Sequence, residues 1–575
     1  MSVQTVMRNL VSVSAPAMRL ILACLAMSVL AAGLCYGAST DQLPNGRPNF
    51  LIIVADDLGF SDISALGSEI KTPHIDAIAE NGVLFTRFYT SPMCAPTRSM
   101  LLTGVDNHQA GLGNMAEFLS KNQRNNSGYE GYLNQSVETI ADVVARHGYR
   151  TAMAGKWHLG NAYAQSPNAR GFQSSFALLG GAASHFSDMA GVTVHERIAH
   201  YRRDGELVDE LPDDFYSSKD YTDHILGFIR ESESDEKPWL AYLAYTAPHW
   251  PLHAPAESLA KYKGQYQKGF EDIRRQRHAR LNSLGLGLAS HELPQLPENI
   301  PRWNSLSKEE KAISARRMEV YAAMVDELDK QIGRIYQHLI ANGLVDNTFI
   351  IFLSDNGADA FSLTRAPKAI ADRAAEFDNS LENIGRPNSF EFIEDKWAIV
   401  GSTPFRLYKT MSTEGGIRVP AILSFPSMHN SPGTHYGRPV KVTDIVPTIL
   451  DIAGIAPVTD SDLHTPEGKS LAPVLIDANA EVHAPEHSIG IEVNGRAALI
   501  SEQWKLLKIQ KPAGTGSWEL YNIDNDPGEQ KNLAKEMPEK LKKMMEKWEQ
   551  YASRVGVIFP PEGPLVAQPV PQPDR

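Results

Sequence analysis

The sequence predicts an α/β fold: a large mixed, mainly parallel sheet flanked by helices, followed by a small carboxy-terminal antiparallel sheet plus a helix. Three observations carry this. Continuous apolar, β-branched runs stop abruptly at polar residues, as buried parallel strands do. Segments of helical period lie between them, the alternation that makes a parallel sheet. After residue 484 the runs become short and alternating, the pattern of an antiparallel sheet.

The first strand is Asn49-Phe50-Leu51-Ile52-Ile53-Val54-Ala55, which ends at Asp56-Asp57. A helical pattern covers 137–147. The next buried run, Trp239 to Thr246, ends at Pro248-His249. A long helix is expected from Lys308 to Asn342, closed by Gly343, and the following run, Thr348 to Leu353, ends at Ser354-Asp355-Asn356. Ligands of open α/β sheets bind beyond the carboxyl ends of the strands, so Asp56, Asp57, His249, Asp355 and Asn356 are expected on one rim. A helix is expected at Asp444 to Leu450, then short strands at 488–492, 496–500, 505–509 and 518–521, and a charged helix from Pro538 to about Ser553. The expected organisation is a signal peptide at 1–38, a large domain at 46–484, a small α+β subdomain at 485–556 and a proline-rich tail at 557–575, extended or disordered. Two long polar segments, 262–304 and 359–402, are either walls over a site or solvated excursions.

The chain has 575 residues, 42% of them hydrophobic and 21% charged, enough for a large core and more than one domain. A formal net charge of -13 with no long basic run argues against a nucleic-acid partner, whose phosphates need clustered lysine and arginine. Leu20 to Leu34 is an apolar run preceded by Arg8 and Arg19 and followed by Tyr36-Gly37-Ala38. It reads as a secretory signal for the Sec export machinery, cleaved near Ala38, and places the protein in the periplasm or outside the cell. The alternative is an uncleaved anchor, since Tyr36 occupies a place where a small residue is preferred; Met18 is an alternative start. The cysteines are Cys24, Cys35 and Cys94. Signal removal leaves Cys94 alone, so no intramolecular disulfide is expected. An unpaired thiol in an exported protein is either a small buried hydrophobe or a chemical group.

The neighbours of Cys94 bear on that choice. The segment Ser91-Pro92-Met93-Cys94-Ala95-Pro96-Thr97-Arg98-Ser99-Met100-Leu101-Leu102-Thr103-Gly104 has the form C-x-P-x-R, and Gly148-Tyr149-Arg150-Thr151-Ala152-Met153-Ala154-Gly155-Lys156-Trp157-His158 forms a second block downstream. Together they resemble the two signatures of the type I, formylglycine-dependent sulfatases of the alkaline phosphatase superfamily. The likeness is nearest to bacterial arylsulfatases, covers nearly the whole mature chain and includes the stretches 216–223 and 248–255. It implies an alkaline-phosphatase-like fold and hydrolysis of a small-molecule sulfate ester to an alcohol or phenol and inorganic sulfate.

The resemblance also implies roles. Cys94 is converted to formylglycine by a separate maturation enzyme, and a hydroxyl of its hydrate attacks sulfur. Arg98 holds this nucleophile, Lys156 stabilises the attacking oxygen and the sulfate, and His158 takes the proton whose loss releases sulfate. His249, in Thr246-Ala247-Pro248-His249-Trp250-Pro251-Leu252-His253, contacts sulfate and, with Lys409, protonates the leaving alcohol. Lys409 is placed by Pro404-Phe405-Arg406-Leu407-Tyr408-Lys409 and the following Glu414-Gly415-Gly416-Ile417-Arg418-Val419-Pro420. Arg98 falls about one helical turn past Cys94 if a helix begins at Pro96. His253 is the rival to His249, and the resemblance favours His249; the segment of His74 reads as structural, and His108 and Asn114 as packing or pocket-lining residues.

Asp56-Asp57 and Asp355-Asn356 offer only oxygen ligands, a composition that selects a hard cation, calcium or magnesium. An adjacent aspartate pair at a strand end also serves as a turn or cap. The resemblance makes Asp56, Asp57, Asp355 and Asn356, with the modified Cys94, the site of one Ca2+. Rival readings on the same scaffold are a phosphonate monoester or phosphodiester hydrolase and a carbohydrate sulfatase. A calcium-stabilised binding protein without catalysis is the reading from another class.

Overall fold

The computed structural model describes residues 46–286, 288, 292–428, 432–456, 462–511 and 513–574; the expected signal peptide lies outside them. Seventeen strands are present among these residues: β1 Asn49–Ala55, β2 Val83–Tyr89, β3 Arg150–Lys156, β4 Ser174–Leu178, β5 Ala190–Thr193, β6 Glu196–Ile198, β7 Tyr201–Arg203, β8 Glu206–Val208, β9 Trp239–Ala244, β10 Thr348–Ser354, β11 Arg418–Ser424, β12 Thr434–Tyr436, β13 Val440–Lys441, β14 Ser488–Val493, β15 Arg496–Ser501, β16 Trp504–Ile509 and β17 Glu519–Asn522.

The large sheet runs β12-β2-β11-β10-β1-β9-β3-β4-β7-β8, with β13 also on β2. Its centre, β10-β1-β9-β3-β4, is parallel throughout, while β11 and β7 pair antiparallel with the strands they join. The sheet is therefore mixed and mainly parallel, as the sequence predicts. Ile52 of β1 sits beside Ile351 on one side and Tyr242 on the other, and all seven β1 residues are buried. Burial on both faces is why this strand reads as an unbroken apolar run.

The helix Lys308–Ala341 opens with a capping box in which Ser307 Oγ accepts from the Glu310 amide. The same device, Thr139 with Asp142, starts the shorter helix Ile140–Arg146. The cap fixes its first turn three residues later than the periodicity predicts, because Thr139 takes the extended conformation of a helix N-cap.

Strands β14 to β17 form a four-stranded antiparallel sheet covered on both faces. Ala498, Ile500 and Leu507 pack with Tyr89 and Ile417 at the large sheet. Ala497, Leu499 and Leu506 pack with Trp548 and Tyr551 of the helix Pro538–Val555. The period of two divides one strand's side chains between two layers, and the small sheet is clamped between the large one and the last helix. A buried polar network adds to that clamp: His108 contacts Glu492 of β14, and Tyr551 donates to Asp106.

Candidate active site

The chemistry-bearing residues collect at the carboxyl ends of the central strands. Asp56 and Asp57 follow β1, Asp355 and Asn356 follow β10, Lys156 ends β3, and His249 lies five residues past β9. Cys94 comes from the segment after β2, as the first residue of the helix Cys94–Thr103. That helix begins two residues before Pro96. Met93 is its extended N-cap residue, and Pro96 still falls within the first turn, where no intrahelical donor is missed. Arg98 is one turn on, as the sequence predicts, and both residues are buried.

Three buried carboxylates face three fixed cations. Lys156 Nζ lies 2.8 and 2.9 Å from the two oxygens of Asp56, and Lys409 Nζ lies 2.8 Å from Asp57. Arg98 donates to Asp355 at 2.7 and 2.9 Å, approaches Asp56 at 3.5 Å, and donates to the Lys156 carbonyl at 2.9 Å. Cys94 Sγ is 3.9 Å from Asp57 Oδ1, and His249 Nε2 is 3.4 Å from Asp57 Oδ2. The structure thus brings Asp56, Asp57, Cys94, Arg98, Lys156, His249, Asp355, Asn356 and Lys409 into one cluster, and His158 lines the cavity above it.

Local backbone geometry aims several of these groups. Asp57 (φ 65) and His158 (φ 58) both take the left-handed conformation, at roughly 1 kcal/mol each. Gly155 (φ 110) precedes Lys156, and a Cβ there would lie 1.8 Å from the Ala244 carbonyl oxygen. Only glycine lets β3 and β9 approach so closely beside the lysine.

Burial pushes the Asp56 carboxyl up to about 6 against the pull of Lys156, and that of Asp57 up to about 8 against Lys409. Burial also raises Asp355, but Arg98 and Lys156 outweigh it and hold that carboxyl below its ordinary range. The Cys94 thiol is pushed well up by burial, so an unmodified thiol there is a poor source of thiolate. Burial lowers His249 well below the usual imidazole value, with Lys409 adding to it; it lowers His158 too, opposed by Glu117.

The residues fit a hard divalent cation. Ligand atoms of Asp56, Asp57, Cys94 and His249 lie within 4.8 Å of one another. Asn356 donates through Nδ2 to Asp57 Oδ1 at 2.7 Å, while its own Oδ1 is buried with no hydrogen-bond partner. A buried amide oxygen left unpaired beside carboxylates is costly unless a cation takes it, and oxygen donors are what Ca2+ or Mg2+ requires.

Several functional neighbours carry no signal in the sequence. Glu117 Oε1 lies 3.2 Å from His158 Nε2, from the single 3-10 turn Ala116–Phe118, which carries no motif. Asp359 Oδ2 is 3.4 Å from Lys409 Nζ. His185 Nε2 is 3.1 Å from the His249 carbonyl oxygen, which it supports as a donor. Of the two long polar segments, 359–402 supplies Phe361 and Ile370 to the cavity; no described residue of 262–304 lines it. His108 and Asn114 are packing residues, bonded to Asp106 and Glu492 and to Asn494 respectively. His253 donates through Nε2 to the Ser389 carbonyl at 2.8 Å and accepts the His185 amide at Nδ1 at 3.3 Å, and His74, the second residue of the helix Pro73–Glu80, donates its backbone amide to Asp329 at 3.0 Å. Neither lines the cavity.

The cavity above the cluster has a volume of about 240 Å³ and is walled largely by apolar side chains, among them Met93, Phe118, Trp250 and Phe361.

Comparison with known proteins agrees with this geometry. Residues 48–455 match the family model "Sulfatase", and residues 405–553 match "N-sulphoglucosamine sulphohydrolase, C-terminal". An arylsulfatase of Klebsiella aerogenes is 42% identical over 441 residues, 75% of this chain and 91% of that protein. An uncharacterized sulfatase of Schizosaccharomyces pombe is 40% identical over 548 residues, 91% of this chain and 97% of that one. Among solved structures, Ps i-CgsB in complex with k-i-k-neocarrahexaose superposes with a TM-score of 0.63 at 25% identity, covering 88% of this chain and 93% of its own. With the alkaline-phosphatase-like fold, the matched family model and relatives of this length and identity, the chain belongs to the sulfatase family and is a sulfuric ester hydrolase.

Proposed function

We propose that this protein is an arylsulfatase that acts through formylglycine formed at Cys94 and one calcium ion held by Asp56, Asp57, Asp355 and Asn356. The observation that carries the reading is the placement of Cys94 Sγ 3.9 Å from Asp57, at the floor of an apolar cavity and among Arg98, Lys156 and Lys409. The cation, when bound, supplies Lewis-acid stabilisation of the sulfate oxygens, and formylglycine supplies a hydroxyl nucleophile in place of the thiol.

The chain's own groups then divide the work. Lys156 and Lys409 are buried ammonium groups fixed on carboxylates and neutralise charge on the sulfate as the ester bond breaks. Arg98 locks Asp355 and the Lys156 carbonyl, which keeps the nucleophile's helix and β3 in register. His249 Nδ1 is 2.6 Å from the Trp250 carbonyl and donates to it, so Nε2 is the atom turned to the site and bears a proton only as imidazolium. Burial and Lys409 oppose that form and the negative sulfate favours it; His249 with Lys409 then delivers the proton to the departing alcohol oxygen. His158, held through Nε2 by Glu117, removes the proton whose loss releases sulfate.

An oligosaccharide ester is the second reading, favoured by the likeness to a protein solved with k-i-k-neocarrahexaose; the apolar walls weigh for an aryl or other apolar alcohol. The apolar amino-terminal run supports export by the Sec machinery and action in the periplasm or outside the cell, after a maturation enzyme has modified Cys94.

The test is a paired rate assay on protein co-produced with a formylglycine-generating enzyme, using an aryl sulfate and an aryl phosphonate monoester of matched leaving group. A much higher kcat/KM for the sulfate, lost in Cys94→Ala, is expected. Preference for the phosphonate would transfer the function to phosphorus chemistry.

A further inference from the structure

The proline-rich end of the chain returns to the mouth of the cavity. Leaving the last helix at Val555, it is fixed first by Asn122 Nδ2 to the Phe559 carbonyl (2.8 Å), Gln123 Nε2 to the Ile558 carbonyl (2.8 Å) and the Ile558 amide to Tyr129 Oη (2.7 Å). It then crosses the rim. The Gln568 amide donates to the Glu117 carbonyl at 2.8 Å, Asn161 Nδ2 donates to the Pro571 carbonyl at 2.8 Å, and His200 Nε2 lies 2.8 Å from Gln572 Oε1. Beyond the rim, Arg202 donates to Asp574 Oδ1 at 3.0 Å. Ala567, Pro569 and Val570 thereby become part of the cavity wall, together with Trp250, Phe361 and Ile370. Prolines at 564, 569, 571 and 573 stiffen this segment and reduce what it loses in freedom on docking.

The charges in the same cavity point the same way. Its lysines are Lys156 and Lys409, both committed at the floor to the carboxylates and the reacting sulfate; among the described residues no arginine lines it, and Glu117, Glu130 and Glu196 do. A sulfatase that grips a polysulfated chain needs cations away from the reacting sulfate. This cavity offers carboxylates there, which repel a second anionic group.

Resting on the sulfatase reading above, we propose that residues 567–572 are a specificity-determining roof, which confines the alcohol of the ester to a small, uncharged, apolar group and excludes polymeric and polysulfated esters. The roof also holds the backbone of Glu117, so it ties the wall to the support of His158.

The experiment compares the full chain, a chain ending at Gly563 and Val570→Asp, all with modified Cys94 and all checked for an unchanged unfolding midpoint. Each is assayed on an aryl monosulfate and on the same aryl sulfate extended with a neutral trisaccharide. The full chain is expected to favour the small ester by about 100-fold in kcat/KM. Truncation should narrow that ratio at least tenfold, through a higher KM for the small ester and measurable turnover of the extended one. Val570→Asp should raise KM for the small ester about tenfold with kcat within about twofold, since it places a carboxylate in an apolar wall. An unchanged ratio in a folded truncated chain overturns the proposal. If the truncated chain does not fold, Val570→Asp decides, and an unchanged KM overturns it. Should the full chain prefer an aryl phosphonate, the sulfate reading falls while the same ratio, read on the phosphonate pair, still judges the roof.

Discussion

Arg98 donates through Nε and Nη2 to a single oxygen of Asp355, Oδ2, at 2.9 and 2.7 Å, which leaves Oδ1 to accept the Asp57 amide at 3.2 Å. One guanidinium thus orients the rims of two strands, β10 through Asp355 and β1 through Asp57, while its third nitrogen holds β3 at the Lys156 carbonyl.

Lysine cannot reproduce that fork, since an ammonium is a point donor. Arg98→Lys is expected to keep the fold but lower kcat/KM by about 100-fold. Arg98→Ala leaves a buried carboxylate unpaired and should destabilise by roughly 3–5 kcal/mol, read by urea unfolding. Activity within a few-fold of wild type in Arg98→Lys would show that the fork does not set the geometry.

Asn356 tests the metal site. Its buried, unpaired Oδ1 is expected to ligate the cation, so chelation should abolish sulfate-ester hydrolysis and lower Tm, with both restored by calcium. Asn356→Leu is close in size and removes the oxygen; it should weaken calcium binding by about tenfold or more, measured by elemental analysis after dialysis against graded calcium. Equal calcium retention in wild type and variant would remove Asn356 from the ligand set.

Glu117→Gln addresses the support of His158. The carboxylate lies 3.2 Å from Nε2 and opposes the lowering of this imidazole by burial. Neutralising it is expected to lower the histidine further, shift the acidic limb of the kcat/KM profile to lower pH, and reduce kcat by about tenfold as the base weakens. A profile that keeps its acidic limb in place would make Glu117 a packing residue only.

What the sequence reveals and what it hides follow from the range of the forces involved. β1, β9 and β10 are legible because each is buried on both faces, so local composition alone marks them, and the rim residues follow as the first polar positions after each run. The four strands after residue 484 show through their alternation. Glu117, Asp359 and His185 are invisible by contrast. Each acts through a partner far along the chain, from a segment with no period or motif, and only the assembled tertiary structure brings it to His158, Lys409 or His249. Likewise the proline-rich end reads as an extended tail, and nothing local says that its destination is the cavity rim.

The last prediction concerns the joint between the large sheet and the small one. His108 lies with Nδ1 2.9 Å from Asp106 Oδ1 and Nε2 3.0 Å from Glu492 Oε2, and an imidazolium donates to both. Lys441 and Tyr551 complete the group on Asp106 Oδ2 at 3.0 and 2.9 Å, and the Tyr129 ring meets the imidazole edge to face with centroids 5.8 Å apart. Burial lowers His108, but the hydrogen bonds to Asp106 and Glu492 outweigh it and push its pKa up to about 9. The folded value lies above that of the unfolded chain, near 6.5. The stability it contributes is therefore fully present below about pH 6.5 and is lost as pH rises through about 9. His108→Gln should cost up to about 3 kcal/mol at pH 6 and progressively less towards pH 9.5, measured by urea unfolding across that range. A cost independent of pH would mean that His108 joins the two sheets as a neutral ring, with the proton on Glu492.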